Sequence, residues 1–370
     1  MSKELSRETT LVQIGNERNE INQAVSTPIY LSTAYRHAEV GQTEGYDYTR
    51  TGNPTRDVLE RHIANLEKGD QAFACSSGMA AIQLIFAKFT TASHFIISRD
   101  IYGGSYRLFE NFKKKYGFSF TYWDGRSDLT DLIEASTKAI FIETPTNPLM
   151  NVVNLEHISQ VAKENNLLLI VDSTLFTPYF VRPIESGADI VIHSATKYLG
   201  GHNDLLAGLV ITKGEQLSEE YAFLHNSIGA TLSPFDCFNL IRGLKTLALR
   251  MEKHLDNARH VVDYLQSKTE VTKVYFPGNT GMVSFEIKDA DDVSDFLKSL
   301  KLVSFAESLG GVESFITYPM TQTHMDIPEE IRVSYGLTDR LLRISVGIES
   351  PEDIIADFEQ AFKRLKERVG

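Results

Sequence analysis

The stretch SATKYLGGHNDLLAGLV, residues 194–210, sets one lysine, Lys197, just beyond the apolar run ADIVIH (188–193) and just before a glycine pair. Two readings of that cation stand open. A lysine in a polar loop is ordinarily a solvated end. A lysine amine at the end of a strand, flanked by the hydroxyls of Ser194 and Thr196, is also placed to act as a Schiff-base nucleophile beside a bound phosphate. The choice depends on what the rest of the chain brings to the same place.

From about residue 57 the chain alternates. VLERHIANLEKG, MAAIQLIFAKF, SYRLFENFKKKYG and LEHISQVAKENN have helical spacing, and QAFACSS, HFIIS, KAIFIET, LLLIVD and ADIVIHS read as strands. Apolar strands alternating with helices predict a mostly parallel sheet covered on both faces, with ligands at the strands' carboxyl ends. The first fifty residues carry no sustained period and read as an extended arm. After Pro234 a long amphipathic stretch runs from Phe235 to about Gln266. Strands (MVSFEI, with Val283, Phe285 and Ile287 on one face; LLRISVGI) and helices (DDVSDFLKSL and the C-terminal segment) then come in an α+β order. These changes of character predict an arm (1–50), a large domain (51–234) and a C-terminal domain (235–370).

Bulk composition narrows the chemistry. At 370 residues the chain exceeds the size, about 250–300 residues, at which a single core stops growing. The 49 acidic against 37 basic side chains give a net charge of -12, which disfavours nucleic acid and anionic membranes. The two cysteines, Cys75 and Cys237, are too few for a disulfide framework or a structural zinc site and suit a reducing, cytoplasmic setting. The sequence holds neither G-x-G-x-x-G nor G-x-x-x-x-G-K-[ST]. His193, His202 and Asp204 match no standard metal spacing and read as packing and hydrogen-bonding residues, so no metal is expected.

Polar residues gather just after the strands. Ser76-Ser77-Gly78-Met79 comes after QAFAC and opens a helix, which offers backbone N–H groups to an anion or is an ordinary N-cap. Asp172 ends LLLIVD, where a carboxylate after an apolar run needs a cation or donor unless it caps the next segment. Tyr102, before Gly103-Gly104, offers a ring face for stacking or is a turn tyrosine. An anion site, a carboxylate for a pyridine nitrogen and an amine for an aldehyde are together what pyridoxal phosphate asks of a protein.

GYDYTRTGNPTR (45–56), SSGMAAI (76–82), DIYGGSYRLF (100–109), ETPTNPL (143–149), HSATKYLGGHNDLLAG (193–208), RGLKTLALRM (242–251), AESLGGVES (306–314) and LRISVGIE (342–349) resemble, in order and from end to end, the Cys/Met-metabolism family of fold-type-I pyridoxal phosphate enzymes. Within that family the chain looks most like cystathionine γ-synthases and O-acetylhomoserine (thiol)-lyases. The resemblance implies an α/β fold, with a mostly parallel, seven-stranded-type sheet in the large domain and a smaller α+β C-terminal domain. It implies that Lys197 carries the cofactor as a Schiff base and moves protons, that Asp172 holds the pyridine nitrogen, and that Tyr102 stacks on the ring. Gly78, Met79, Ser194 and Thr196 would hold the phosphate, with Tyr48 and Arg50 reaching over from a neighbouring subunit of a homotetramer built from catalytic dimers. Arg343 would grip the substrate α-carboxylate, aided by Asn147 and the backbone near Ser308, with Glu307 near the distal end of the substrate. The implied reaction is γ-replacement on an O-acyl-L-homoserine by L-cysteine, giving L-cystathionine in the transsulfuration route of methionine biosynthesis. Sulfide as nucleophile, or C–S lysis of cystathionine, are the alternatives, and a non-catalytic cofactor-binding protein stands last. The sequence departs from the family in reading DSTLFTP (172–178), with Ser173 where the family has Asn, and in a short PGNTG link at 277–281.

Overall fold

A computed structural model describes residues 5–16, 23–43 and 45–369. Of the predicted arm, residues 1–4, 17–22 and 44 lie outside the described residues. Its described part is more structured than the sequence suggests. Arg7–Val12 is a helix capped by the Ser6 side chain, with Leu11 and Ile14 fully buried, and His37–Glu39 pairs antiparallel with Gln42–Thr43. Elements this short complete too few turns or alternations to register as a period.

The chain divides into two compact units, residues 1–90 with 155–248 and residues 91–154 with 249–370. In the first, the strands Gln71–Cys75, Gly208–Thr212, Ile190–Ser194 and Leu168–Asp172 lie side by side in that order. The last two are parallel, and Gly208–Thr212 runs antiparallel to both its neighbours. Leu169–Val171, Ile190–Ile192 and Leu209–Ile211 are all buried, which is why these strands read as continuous apolar runs rather than alternating ones. Helix Pro54–Glu67 begins where Asn53 accepts hydrogen bonds from the Thr55 and Arg56 N–H groups and Pro54 pre-sets the first turn. The amphipathic stretch read from Phe235 to Gln266 is two helices, Pro234–Leu244 and Leu247–Gln266. The break falls at Lys245–Thr246, and two residues are too few to disturb the apolar period.

In the second unit Thr137–Glu143, His94–Ser98 and Ser119–Trp123 form parallel neighbours in that order. Phe95, Phe109, Phe118 and Phe120 pack ring on ring over one part of this sheet. A second sheet runs Val271–Tyr275, Met282–Ile287, Leu341–Ser345, Phe315–Thr317, Ser304–Phe305. Val283, Phe285, Phe296, Phe358 and Phe362 make its core. Met282–Ile287 is buried on both faces rather than the one expected. Its polar positions are satisfied inside: the Ser284 hydroxyl donates to the Pro148 carbonyl at 2.7 Å, and Glu286 accepts from the Tyr275 hydroxyl at 2.6 Å and pairs with Arg340 at 3.2 Å.

Candidate active site

Tyr48, Arg50, Gly78, Met79, Asp172, Ser194, Thr196 and Lys197 fall in the first unit; Tyr102, Asn147, Glu307, Ser308 and Arg343 fall in the second.

In the first unit, the strand Leu168–Asp172 ends on a half-buried carboxylate. Asp172 Oδ1 accepts from the Thr174 N–H at 3.0 Å and from its hydroxyl at 2.6 Å, and Thr174 Oγ1 in turn accepts from the Ser194 N–H at 2.8 Å. Thr174 therefore ties the ends of two neighbouring strands together. Burial pushes the Asp172 carboxyl up, while the Thr174 bonds and the nearby His193 pull it back down. Such a desolvated carboxylate is suited to pair with a protonated ring nitrogen. Three residues after Ser194, in a turn where the Lys197 N–H donates to the Ser194 carbonyl at 3.1 Å, comes the half-buried lysine. The Thr196 hydroxyl closes this loop, accepting from the Ala207 N–H at 3.0 Å and donating to the Ala207 carbonyl at 3.3 Å. His193 and Glu67, both fully buried, bond at 2.5 Å, in keeping with the hydrogen-bonding role read from sequence. Ser173 is fully buried, and its hydroxyl has no hydrogen-bond partner among the described residues.

Ser77 caps helix Gly78–Phe86, its hydroxyl accepting from the Ala80 N–H at 3.1 Å. The first-turn N–H groups of such a helix have no intrahelical acceptor and face an anion favourably. The glycines here are required by close approach. A Cβ at Gly78 would come within 2.9 Å of Ser194 Cβ and Oγ, and one at Gly208 within 2.1 Å of the Ser77 carbonyl. The result is a cradle of backbone and one hydroxyl that any larger residue would fill. Tyr48 and Arg50 are exposed; the Arg50 guanidinium lies 5.7 Å from the Tyr48 ring centre and donates to the Asn226 carbonyl at 2.6 Å. An anion cradle, a desolvated carboxylate and a strand-end amine fit pyridoxal phosphate. Replacing Asp172 by Asn should shift the cofactor's visible absorption and slow turnover by about 100-fold, ~2.7 kcal/mol of barrier. An absorption spectrum and initial rates check it, and an unchanged spectrum with normal turnover contradicts the role.

In the second unit Arg343 is fully buried. Its guanidinium donates to Asn147 Oδ1 at 2.8 Å, to the Ser308 carbonyl at 3.0 Å and to the Thr317 hydroxyl at 3.1 Å. Ser308 holds φ +108°, a strained conformation for a residue with a Cβ, and its carbonyl is thereby one of the three acceptors that orient the arginine. The His324 ring donates to the carbonyls of Asn147 at 2.8 Å and Ile101 at 3.1 Å. Burial, with Arg343 beside it, lowers its pKa to about 4, so it is neutral at physiological pH. The Tyr102 N–H donates to Glu143 at 3.0 Å, and the tyrosine as a whole is 41% exposed. Glu307 is exposed. Sequence reasoning missed Thr174, Thr317, His324 and Glu143. Of these only Thr174, two residues after an Asp in an Asx-turn position, carried a local signal.

Among the described residues no group of three His, Cys, Asp or Glu side chains is placed to hold a metal ion, and no helix is long and apolar enough to cross a membrane.

The chain is 57% identical over 362 residues to a cystathionine gamma-synthase/O-acetylhomoserine (thiol)-lyase of Bacillus subtilis, covering 97% of each chain. It is 52% identical to a cystathionine gamma-synthase of Haemophilus influenzae, over 99% of this chain and 100% of that one. Among solved structures it is similar to cystathionine gamma synthase from Xanthomonas oryzae pv. oryzae in complex with aminoacrylate and cysteine, with a TM-score of 0.96 at 36% identity over 99% of this chain and 100% of that one. The fold class expected from sequence agrees with that likeness: α/β of fold type I, with a mostly parallel large sheet and a second, smaller sheet. Residues 8–363 match the model of one family, and the chain belongs to it: the Cys/Met metabolism PLP-dependent enzymes.

Proposed function

We propose that this enzyme is a cystathionine γ-synthase: it breaks the Cγ–O bond of an O-acyl-L-homoserine, releases the carboxylic acid, and joins Cγ to the sulfur of L-cysteine to give L-cystathionine. The observation that carries the reading is end-to-end identity above one half to relatives bearing that name. Arg343, oriented by Asn147, Ser308 and Thr317, binds the substrate α-carboxylate, for which a planar guanidinium is the best-matched group. Lys197 removes the proton at Cα and returns one later in the cycle. Asp172 would pair with the ring nitrogen, Tyr102 would stack on a ring face, and Gly78, Met79, Ser194 and Thr196 would seat the phosphate. Glu307 faces the distal part of the substrate. Pyridoxal phosphate, carried by Lys197 as a Schiff base until substrate displaces the lysine, would supply the electron sink that makes the Cα proton acidic.

Sulfide as nucleophile is the second reading, favoured by the double name of the Bacillus subtilis relative. Purified enzyme given acetyl- or succinyl-homoserine with cysteine or with sulfide, and products identified by mass, separates the two. Cystathionine as the main product supports the proposal, and homocysteine alone with both donors present overturns it.

The enzyme works in the cytoplasm as a homotetramer of catalytic dimers, with residues 1–50 as an arm that carries Tyr48 and Arg50 to the neighbour's phosphate, ahead of a large domain (51–234) and a C-terminal domain (235–370). Neither Arg50→Ala nor Lys197→Ala homomers should turn over normally. Hybrids formed after mild dissociation should regain activity, because one composite site then holds both residues. Exchanged hybrids that stay inactive, or an active monomer by light scattering, contradict the shared site.

A further inference from the structure

A separate cavity of about 210 Å³ opens in the second unit, near the carboxyl ends of the strands His94–Ser98 and Ser119–Trp123. It is larger than the ~30 Å³ a single water occupies and smaller than the roughly 300 Å³ at which sites for drug-sized ligands begin, which limits an occupant to a small metabolite. Its chemistry is two-sided. Three basic side chains, Arg99, Arg126 and Lys273, stand in its wall, and Arg126 and Lys273 are exposed. The acid beside them, Asp124, is already capped by its own loop, accepting from the Arg126 N–H at 2.9 Å and from the Ser127 N–H and hydroxyl at 2.8 Å each. Deeper in the wall are Asp100, which is 6% exposed, and Tyr335.

Three buried polar atoms of this wall lack a hydrogen-bond partner among the described residues: Arg99 Nε, Asp100 Oδ1 and the Tyr335 hydroxyl. Buried groups of that kind are costly unless something satisfies them. The other oxygen of Asp100 is fully used, accepting from the Thr146 hydroxyl at 2.5 Å, the Leu149 N–H at 3.2 Å and the Asn151 amide at 3.4 Å. Asp100 thus holds the loop that carries Asn147 with one oxygen, while its other oxygen is buried in the wall without a partner among the described residues. Burial raises the Asp100 pKa to about 6 against its hydrogen bonds and the nearby Arg99 charge, and burial together with the charge of Asp100 pushes the Tyr335 hydroxyl up.

We propose that this cavity is a second small-molecule site, which takes a zwitterionic α-amino acid with its carboxylate toward Arg99, Arg126 and Lys273 and its ammonium toward Asp100 Oδ1 and the Tyr335 hydroxyl. An anion alone leaves Asp100 Oδ1 without a donor, and a cation alone leaves Arg99 Nε without an acceptor. The chain's one tryptophan, Trp123, lines the cavity, and its indole N–H donates to the Ser127 carbonyl at 2.8 Å, so its fluorescence reports on occupancy.

The test titrates the holoenzyme with L-serine and with L-methionine while exciting Trp123, with acetate and ethylamine as anion-only and cation-only probes. At least one amino acid should give a saturable change, with acetate and ethylamine each weaker by about tenfold or more, the scale of one lost hydrogen bond to a charged group. The response should survive in Arg343→Ala, which disables carboxylate binding at the catalytic site, and weaken about tenfold in Arg126→Ala and in Tyr335→Phe. No saturable change with either amino acid overturns the proposal. So does a response lost in Arg343→Ala, indifferent to both cavity variants, or matched by acetate.

Discussion

Lys197→Ala is expected to lower kcat by at least ~1,000-fold, within the range of a positioned acid–base group, because both the proton-moving amine and the covalent link to the cofactor are lost. The fold should survive. The turn that presents the lysine is made by backbone bonds, Lys197 N–H to the Ser194 carbonyl and Gly201 N–H to the Lys197 carbonyl at 2.8 Å, and alanine keeps both. The neighbouring loop is closed by Thr196 and Ala207 without the lysine side chain. Steady-state rates and circular dichroism check the prediction together: a lost rate with an unchanged spectrum is the expected pair, and substantial turnover without added amine contradicts the assignment.

Arg343→Ala should reduce kcat/KM by about 100- to 1,000-fold, ~3–4 kcal/mol, because two effects add. The substrate carboxylate loses its bidentate partner. The acceptors that held the guanidinium, Asn147 Oδ1, the Ser308 carbonyl and the Thr317 hydroxyl, are left in a buried site without that donor. Arg343→Lys distinguishes binding from collapse. A lysine restores the charge but not the planar fork, so the variant should fold, recover part of the activity and show its defect mainly as a raised KM. If Arg343→Lys matches the parent in KM, the arginine does not bind the carboxylate.

Residues at strand ends were legible because apolar runs fix where strands stop, and the first polar residue beyond them falls at the ligand-binding edge of a parallel sheet. That rule points to Asp172, Ser194 and Gly78, and the first two do end their strands while Gly78 opens the helix after Gln71–Cys75. The partners that orient them were less visible. Arg343 and Thr317 pair as register neighbours on antiparallel strands, and His324 reaches Asn147 across 177 residues of sequence. No local pattern encodes such distances. The strands Gly208–Thr212 and Ser119–Trp123 were missed for local reasons: the first runs on from the apolar Leu205-Leu206-Ala207, which hides its start, and the second is only partly buried and carries Ser119 and Thr121, so it has no apolar run. The two-helix break at Lys245–Thr246 left the apolar period intact, so spacing alone could not show it. Burial of both faces of Met282–Ile287 depends on Ser284 and Glu286 finding partners at Pro148, Tyr275 and Arg340, two of them distant in sequence.

The most direct test of the account is to reduce the holoenzyme with borohydride, digest it and weigh the peptides. The account predicts the mass of one reduced pyridoxal phosphate on the peptide containing Lys197 and on no other lysine. A peptide containing Lys197 that stays unmodified, with the cofactor fixed at another lysine or nowhere, would contradict it.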